Sequence, residues 1–164
     1  MKLHLSAFMA LICLAVNVKA QTWMPVGSGM NNTIYALAVY NAELYAGGTF
    51  DTAGGIAAEN IAKWNGTSWS AVGGGVNGDV RALTVYNGEL IVGGFFTTAG
   101  GSPASHIAKW NGTSWSTVGT GMGGNFPNVW SLTTSGTDLY AGGTFTSAGG
   151  NSADRIAKWN GNAW

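Results

Sequence analysis

The chain has 164 residues and seven Lys or Arg against seven Asp or Glu, so its formal charge at pH 7 is zero. With 9% charged residues it offers no basic surface for nucleic acid and no acidic disordered tail, and 46% hydrophobic residues with 12% aromatics exclude disorder. Glycine is the outlier, 27 residues against three prolines, which points to many short strands joined by tight turns.

The first twenty residues stand apart. Lys2 and His4 give a polar start, Leu5 to Val16 is apolar with little interruption, and Val18-Lys19-Ala20 places compact residues where a signal peptidase reads. A secretory signal peptide over 1–20, cleaved after Ala20, is the expectation, and with it a secreted or cell-surface protein. The apolar run is short for a membrane span, so none is expected after cleavage. Cys13, the one cysteine, would leave with the signal. The mature chain would then have no disulfide, no cysteine zinc ligand and no thiol nucleophile.

From residue 21 to 164 the chain repeats itself. Trp23, Trp69, Trp115 and Trp164 recur at intervals of 46, 46 and 49 residues, a period that belongs to repeat architectures. The repeats run 23–68, 69–114 and 115–163, and the three extra residues of the last fall in 123–128, read as a loop. Each copy carries four predicted strands. In the middle copy they are Val80 to Tyr86, Glu89 to Phe96, His106 to Trp110 and Trp115 to Val118. Asn87-Gly88 between the first two is the strongest short hairpin signal, because a primed turn needs positive φ at both central residues. Asn41-Ala42 and Ser135-Gly136 are its looser counterparts. Asn65-Gly66, Asn111-Gly112 and Asn160-Gly161 mark a second hairpin, and a Gly-rich connection joins the middle strands. No stretch holds a 3.6-residue apolar period. Four antiparallel strands per copy, with first strands apolar on both faces, are the blades of an all-β propeller.

Gly47-Gly48, Gly93-Gly94 and Gly142-Gly143, with the pairs Trp64/Trp69, Trp110/Trp115 and Trp159/Trp164, resemble the kelch repeat. The fuller phrase, Ala-Gly-Gly followed by Ile-Ala-Lys-Trp-Asn-Gly, is similar to kelch-like repeats of secreted bacterial surface proteins and of fungal cortical marker proteins. The resemblance covers Trp23 to Trp164. It implies a propeller and, in most such proteins, an adhesive or scaffolding role.

The repeated residues read first as structure. Paired glycines permit positive φ or close backbone approach, and the tryptophans fill gaps between blades. Candidate binding residues are those that differ between copies. Three sets qualify: the loops 31–33, 77–79 and 123–128; the loops 56–60, 102–106 and 151–155; and the residues just after each first strand opens, Tyr35, Arg81 and Trp130. Phe126, Glu59, His106, Asp154 and Arg155 are the chemically capable groups of the loops, although no acid–base pair among these recurs in register. Enzyme constellations are thin. His106 is the one histidine after residue 20, there is no Gly-x-Ser-x-Gly elbow, Walker loop or His-Glu-x-x-His, and no cofactor or metal is expected. The copper-radical oxidases of kelch-type fold need a cysteine–tyrosine bond that this chain cannot form. The expected function is a secreted, non-catalytic module for protein interaction or adhesion. A carbohydrate-binding propeller is the first alternative, and the N-terminal part of an enzyme with catalytic residues beyond Trp164 the second.

Three blades are fewer than the 4–8 of a closed ring. Trp23 to Val26 reads as a lone fourth strand, and the third repeat ends where its own fourth strand begins. Either the sequence is a segment of a longer ring, which the break inside the motif favours, or a homodimer completes six blades.

Overall fold

A computed structural model describes residues 22–164; the predicted signal peptide and Cys13 lie outside them. The described chain contains strands, turns and no helix. The first blade holds β1 (Ile34–Tyr40), β2 (Glu43–Gly48), β3 (Thr52–Ala53), β4 (Ile56–Ala57), β5 (Ile61–Trp64) and β6 (Trp69–Ala71). The second repeats them as β7 (Asp79–Tyr86), β8 (Glu89–Phe95), β9 (Thr98–Ala99), β10 (Ser102–Pro103), β11 (Ile107–Trp110) and β12 (Trp115–Thr117). The third comprises β13 (Met122–Gly123), β14 (Val129–Ser135), β15 (Asp138–Gly143), β16 (Ser147–Ala148), β17 (Asn151–Ser152) and β18 (Ile156–Trp159).

Two sheets are four-stranded, β1-β2-β5-β6 and β7-β8-β11-β12, and the third is the three-stranded β14-β15-β18. All pairing is antiparallel, and the main strands of each blade pair in chain order with two short strands intervening between the second and third, the meander of a propeller blade. The sheets stack: β1 packs on β7 and β7 on β14. Residues of neighbouring blades therefore share cores. Tyr40, Tyr45 and Ile61 of the first blade join Val80, Leu90 and Phe96 of the second. Tyr86, Ile91 and Ile107 of the second join Val129, Leu139 and Phe145 of the third.

The paired glycines divide the work of that stacking. The first of each pair receives the next blade: a Cβ on Gly47 would lie 2.2 Å from Val80 Cγ1, and one on Gly93 2.6 Å from Val129 Cγ1. The second faces its own first strand: a Cβ on Gly48 or Gly94 would fall about 2 Å from the carbonyl of Thr33 or Asp79. Close approach is thus the reason for the pair. The positive φ also expected there is absent, because both glycines of each pair lie in regular strand.

Each tryptophan pair closes a joint, as expected. Trp110 and Trp115 have ring centroids 5.2 Å apart and cover Gly73 in the link from the preceding blade. The indole N–H groups of Trp69, Trp115 and Trp164 donate to the carbonyls of Val26, Val72 and Val118. In the second and third blades this bond ties the blade to the end of the one before, and in the first it holds the segment that precedes β1.

Several local expectations need correction. The Gly-rich connections are small hairpins, β3-β4, β9-β10 and β16-β17. Their turn glycines have positive φ, such as Gly100 at 56° and Gly101 at 79°, as a tight primed turn requires. Asn111-Gly112 opens a four-residue loop, because Trp110 pairs with Trp115; the Asn111 carboxamide oxygen accepts from the N–H groups of Thr113 and Ser114, so the side chain holds the turn. In the third blade the first hairpin turns at Gly136-Thr137, since Ser135 pairs with Asp138. The insertion is not all loop, because Met122–Gly123 pairs with β16. Trp23–Val26 forms no strand; with no sheet beside it the segment has no ladder to join, and the Val26 carbonyl accepts instead from the Trp69 indole and from Gly29 N–H.

Candidate functional site

One register shift recurs at the same place in all three blades. Ile34 pairs with Gly48 and Ala36 with Gly47, so Tyr35 is the extra residue of a β-bulge. Val80 and Ala82 oppose Gly94 and Gly93, which leaves Arg81, and Val129 and Ser131 oppose Gly143 and Gly142, which leaves Trp130. Such a bulge re-aims one side chain out of the pleat. It is formed where the second glycine of each pair admits a backbone carbonyl that a Cβ would exclude.

The three re-aimed side chains meet. The Arg81 guanidinium carbon lies 3.9 Å from the centroid of the Tyr35 ring and 4.9 Å from that of Trp130, a cation held between two aromatic faces. The guanidinium Nη2 donates to Asp79, which fixes the plane. Both aromatics remain about half exposed. The stack therefore carries planar apolar surface around an arginine–aspartate ion pair at one end of the molecule.

Beside it lies a cleft of about 220 Å³ lined by Asn77, Gly78, Asp79, Phe95, Phe96, Thr97 and His106. Asn77 shapes one wall, its carboxamide oxygen accepting from the N–H groups of Thr97 and Thr98. His106 is buried with φ near 65°, and its ring stands 5.9 Å from Phe95. Its Nδ1 has no hydrogen-bond partner among the described residues. Burial lowers the imidazole pKa from its usual 6.5, and a backbone hydrogen bond with Gly94 offsets part of that.

Asp79 belongs to both features, so the variable loop 77–79 joins the aromatic stack to the cleft. The remaining candidates stand apart. Glu59 is exposed, and its backbone carbonyl accepts from Val76 N–H. Arg155 pairs with its neighbour Asp154. Phe126 is exposed with positive φ, its carbonyl accepting from Thr144 Oγ1. No hydrogen bond or ion pair links these three to the stack among the described residues. Asn60, His106 and Arg155 occupy one repeat position, all with positive φ near 60–66°. Their N–H groups donate to the carbonyls of Phe50, Phe96 and Phe145. They are corners of the scaffold before they are anything else.

Sequence reasoning missed one recurring charged pair. Lys63, Lys109 and Lys158 reach across the sheet to Glu43, Glu89 and Asp138 at 2.8, 2.8 and 3.1 Å. The signal was there, an acid opening every second strand and a lysine inside every Ile-Ala-Lys-Trp. Lys109 and Glu89 line a second cleft of about 250 Å³ with Tyr86 and Trp159 at the opposite, hairpin end. Because the pair is shared by all blades, it belongs to the framework. The hydrogen bond to Glu43 raises the Lys63 pKa.

Among the described residues no three His, Cys, Asp or Glu side chains cluster as metal ligands, and no helix is long and apolar enough to cross a membrane. The site's groups are those of recognition, aromatic faces for stacking and a fixed guanidinium for planar or anionic contacts. Compared with curated proteins, the chain finds no match. A family model described as the Rax2 C-terminal beta propeller domain matches residues 14–164. That agrees with the blades and with the likeness to fungal cortical marker propellers, and the chain belongs to the Rax2 C-terminal beta propeller domain family.

Proposed function

We propose that the chain is an exported, non-catalytic interaction module that binds a protein partner at the loop-bearing end of its blades. One observation carries this reading. Three bulges at one repeat position aim three different residues, Tyr35, Arg81 and Trp130, into one stack while the surrounding positions repeat. A repeating scaffold that aims three different side chains outward from one position is suited to recognition. Tyr, Trp and Arg are also the residues that most often dominate binding energy in protein interfaces.

A sugar ligand is the second reading, favoured by the half-exposed face of Trp130 and by the exposed ring of Phe126. The full chain, immobilised, is tested against a random peptide library and a glycan array. Peptide binding weakened at least about tenfold by Trp130→Ala and by Arg81→Ala, and unchanged by Lys109→Gln at the opposite end, is the expected result. Glycan binding lost on Trp130→Ala would move the assignment to a lectin. Binding indifferent to both substitutions, or none on either array, overturns the site.

A further inference from the structure

We propose that the cleft between the second and third blades, at the hairpin end, binds a small p-hydroxyphenyl group, and that Tyr45 shows within this chain how such a ring is held. The cleft has a volume of about 250 Å³ and is lined by residues of both blades. Its lining recurs at the joint between the first and second blades, residue for residue, with two exceptions. Ile91 stands for Tyr45, and Thr117 for Ala71. Tyr45 and Ile91 hold one register position, each directly opposite the lysine of its Ile-Ala-Lys-Trp strand, and each is 1% exposed.

The first joint shows what fits in that place. The Tyr45 ring meets Tyr40 edge to face, with centroids 5.7 Å apart, and packs in one cluster with Trp110 of the second blade. Burial raises the pKa of its hydroxyl, and the Trp110 indole and the Lys63 charge beside it offset part of that rise; Glu43 and Tyr40 complete its surroundings. At the second joint Trp159, Lys109, Glu89 and Tyr86 stand at the equivalent positions, and all four line the cleft. Ile91 supplies neither a ring nor a hydroxyl. The blades have not closed on the gap. A Cβ on Gly161 would lie 3.5 Å from Tyr86 Oη, and one on Gly112 at the first joint 3.8 Å from Tyr40 Oη, so the two joints keep nearly the same spacing.

The walls choose the class of ligand. An apolar cavity of roughly 150 Å³ holds benzene, and drug-sized ligands occupy about 300–1,000 Å³, so this cleft suits one small ring. Ile91 and Trp159 give that ring apolar surface, and Tyr86 stands where Tyr40 meets Tyr45. A bare hydrocarbon would desolvate the Lys109–Glu89 pair and the Trp159 indole without giving a hydrogen bond in return. A para hydroxyl, placed as in Tyr45, gives one. The ion pair keeps the framework bond that it makes in each blade. Selection for a ring comes from Ile91, which leaves unfilled the place that Tyr45 fills.

The test is a two-dimensional NMR titration of the full chain with p-cresol, and with toluene as its hydrocarbon match. Saturable shifts at Ile91 and at the Trp159 indole are expected, with p-cresol bound at least about tenfold more tightly than toluene, since a hydroxyl that finds its partner is worth roughly that factor. Ile91→Tyr sets the chain's own ring in the cleft, as Tyr45 does at the first joint. It should abolish binding while the strand signal in circular dichroism stays unchanged. Tyr45→Ile makes the reverse change and should add a second set of shifts, at the Trp110 indole, which tests the same idea at the other joint. No saturable p-cresol binding, toluene bound as tightly, or binding kept by folded Ile91→Tyr overturns the proposal. A titration with N-acetyltyrosinamide names the source of the ring: binding of both compounds assigns the cleft to a tyrosine side chain of a partner, p-cresol alone to a free phenol. The cleft shares no residue with the stack of Tyr35, Arg81 and Trp130, so the two readings fail separately.

Discussion

Ile107 and Ile156 begin the same four-residue strand, Ile-Ala-Lys-Trp, in the second and third blades, yet one is fully buried and the other two-thirds exposed. Apart from the outer strand β12, which pairs with β11 and has no counterpart on β18 among the described residues, the two blades match. Leu90 and Leu139 are both buried on the other face, and both sheets pair their second and third strands in the same register. What sets them apart is the following blade, which packs on Ile107 and has no counterpart beside Ile156 among the described residues. A blade in this fold is thus half a core, and each joint supplies the other half.

The comparison can be broken most directly at those two isoleucines. Ile107→Ala should destabilise the chain by about 2–5 kcal/mol in urea unfolding, the range for truncating a buried aliphatic side chain. Ile156→Ala should cost less than about 0.5 kcal/mol in the monomer. Equal costs would mean that the third blade is covered in solution. The glycines give a second, smaller contrast. Gly93→Ala pushes a methyl group to 2.6 Å from Val129 Cγ1 and should cost about 1–3 kcal/mol. Gly142→Ala meets a movable serine hydroxyl instead and should cost less. Removing one indole donor with Trp115→Phe should cost about 1 kcal/mol, because the carbonyls of Val72 and Gly73 lose their bond.

A pH effect separates the middle blade from its neighbours, because the corner residue is His106 there, Asn60 in the first blade and Arg155 in the third. The lowered pKa of His106 means that the unfolded chain binds the proton more readily. The associated stability is fully present above about pH 6.5 and is lost as pH falls toward the folded value. His106→Asn copies the first blade, where the Asn60 side-chain amide donates to the Val76 carbonyl. It should flatten the dependence of urea midpoint on pH between about 7 and 5, and a slope unchanged by the substitution would refute the assignment. The smallest contrast lies in the recurring ion pairs. Lys109→Met should cost at most about 0.5–1 kcal/mol, and Lys158→Met less, since that lysine is more exposed.

Much of this architecture was legible from local chemistry. The period of the tryptophans, the Asn87-Gly88 turn and the alternation of short apolar runs with glycine act over a few residues, so they announce blades and their strands directly. The Ala-Gly-Gly hairpins were also encoded, but two-residue strands are too short to leave an alternation. The recurring Lys–acid pair was written in register and went unseen because its members stand twenty residues apart, on strands whose pairing must be known first.

The candidate site was legible in its members and not in its form. Tyr35, Arg81 and Trp130 could be singled out as the residues that vary in a repeating frame. Their meeting depends on bulges, and a bulge exists only when a particular glycine faces a particular carbonyl across two strands. The same limit separated Glu59, Phe126 and Arg155 from the stack, since distances between blades are set by stacking and not by order along the chain.

By itself the sequence determined the blades, their long strands, the Asn87-Gly88 turn and the residues free to vary, because propensity, turn chemistry and periodicity are local. The tertiary structure decided which of those residues share a surface and which apolar faces pack on the next blade. Those outcomes follow from packing one sheet on the next, and the energy of that packing belongs to pairs of blades and to no single one.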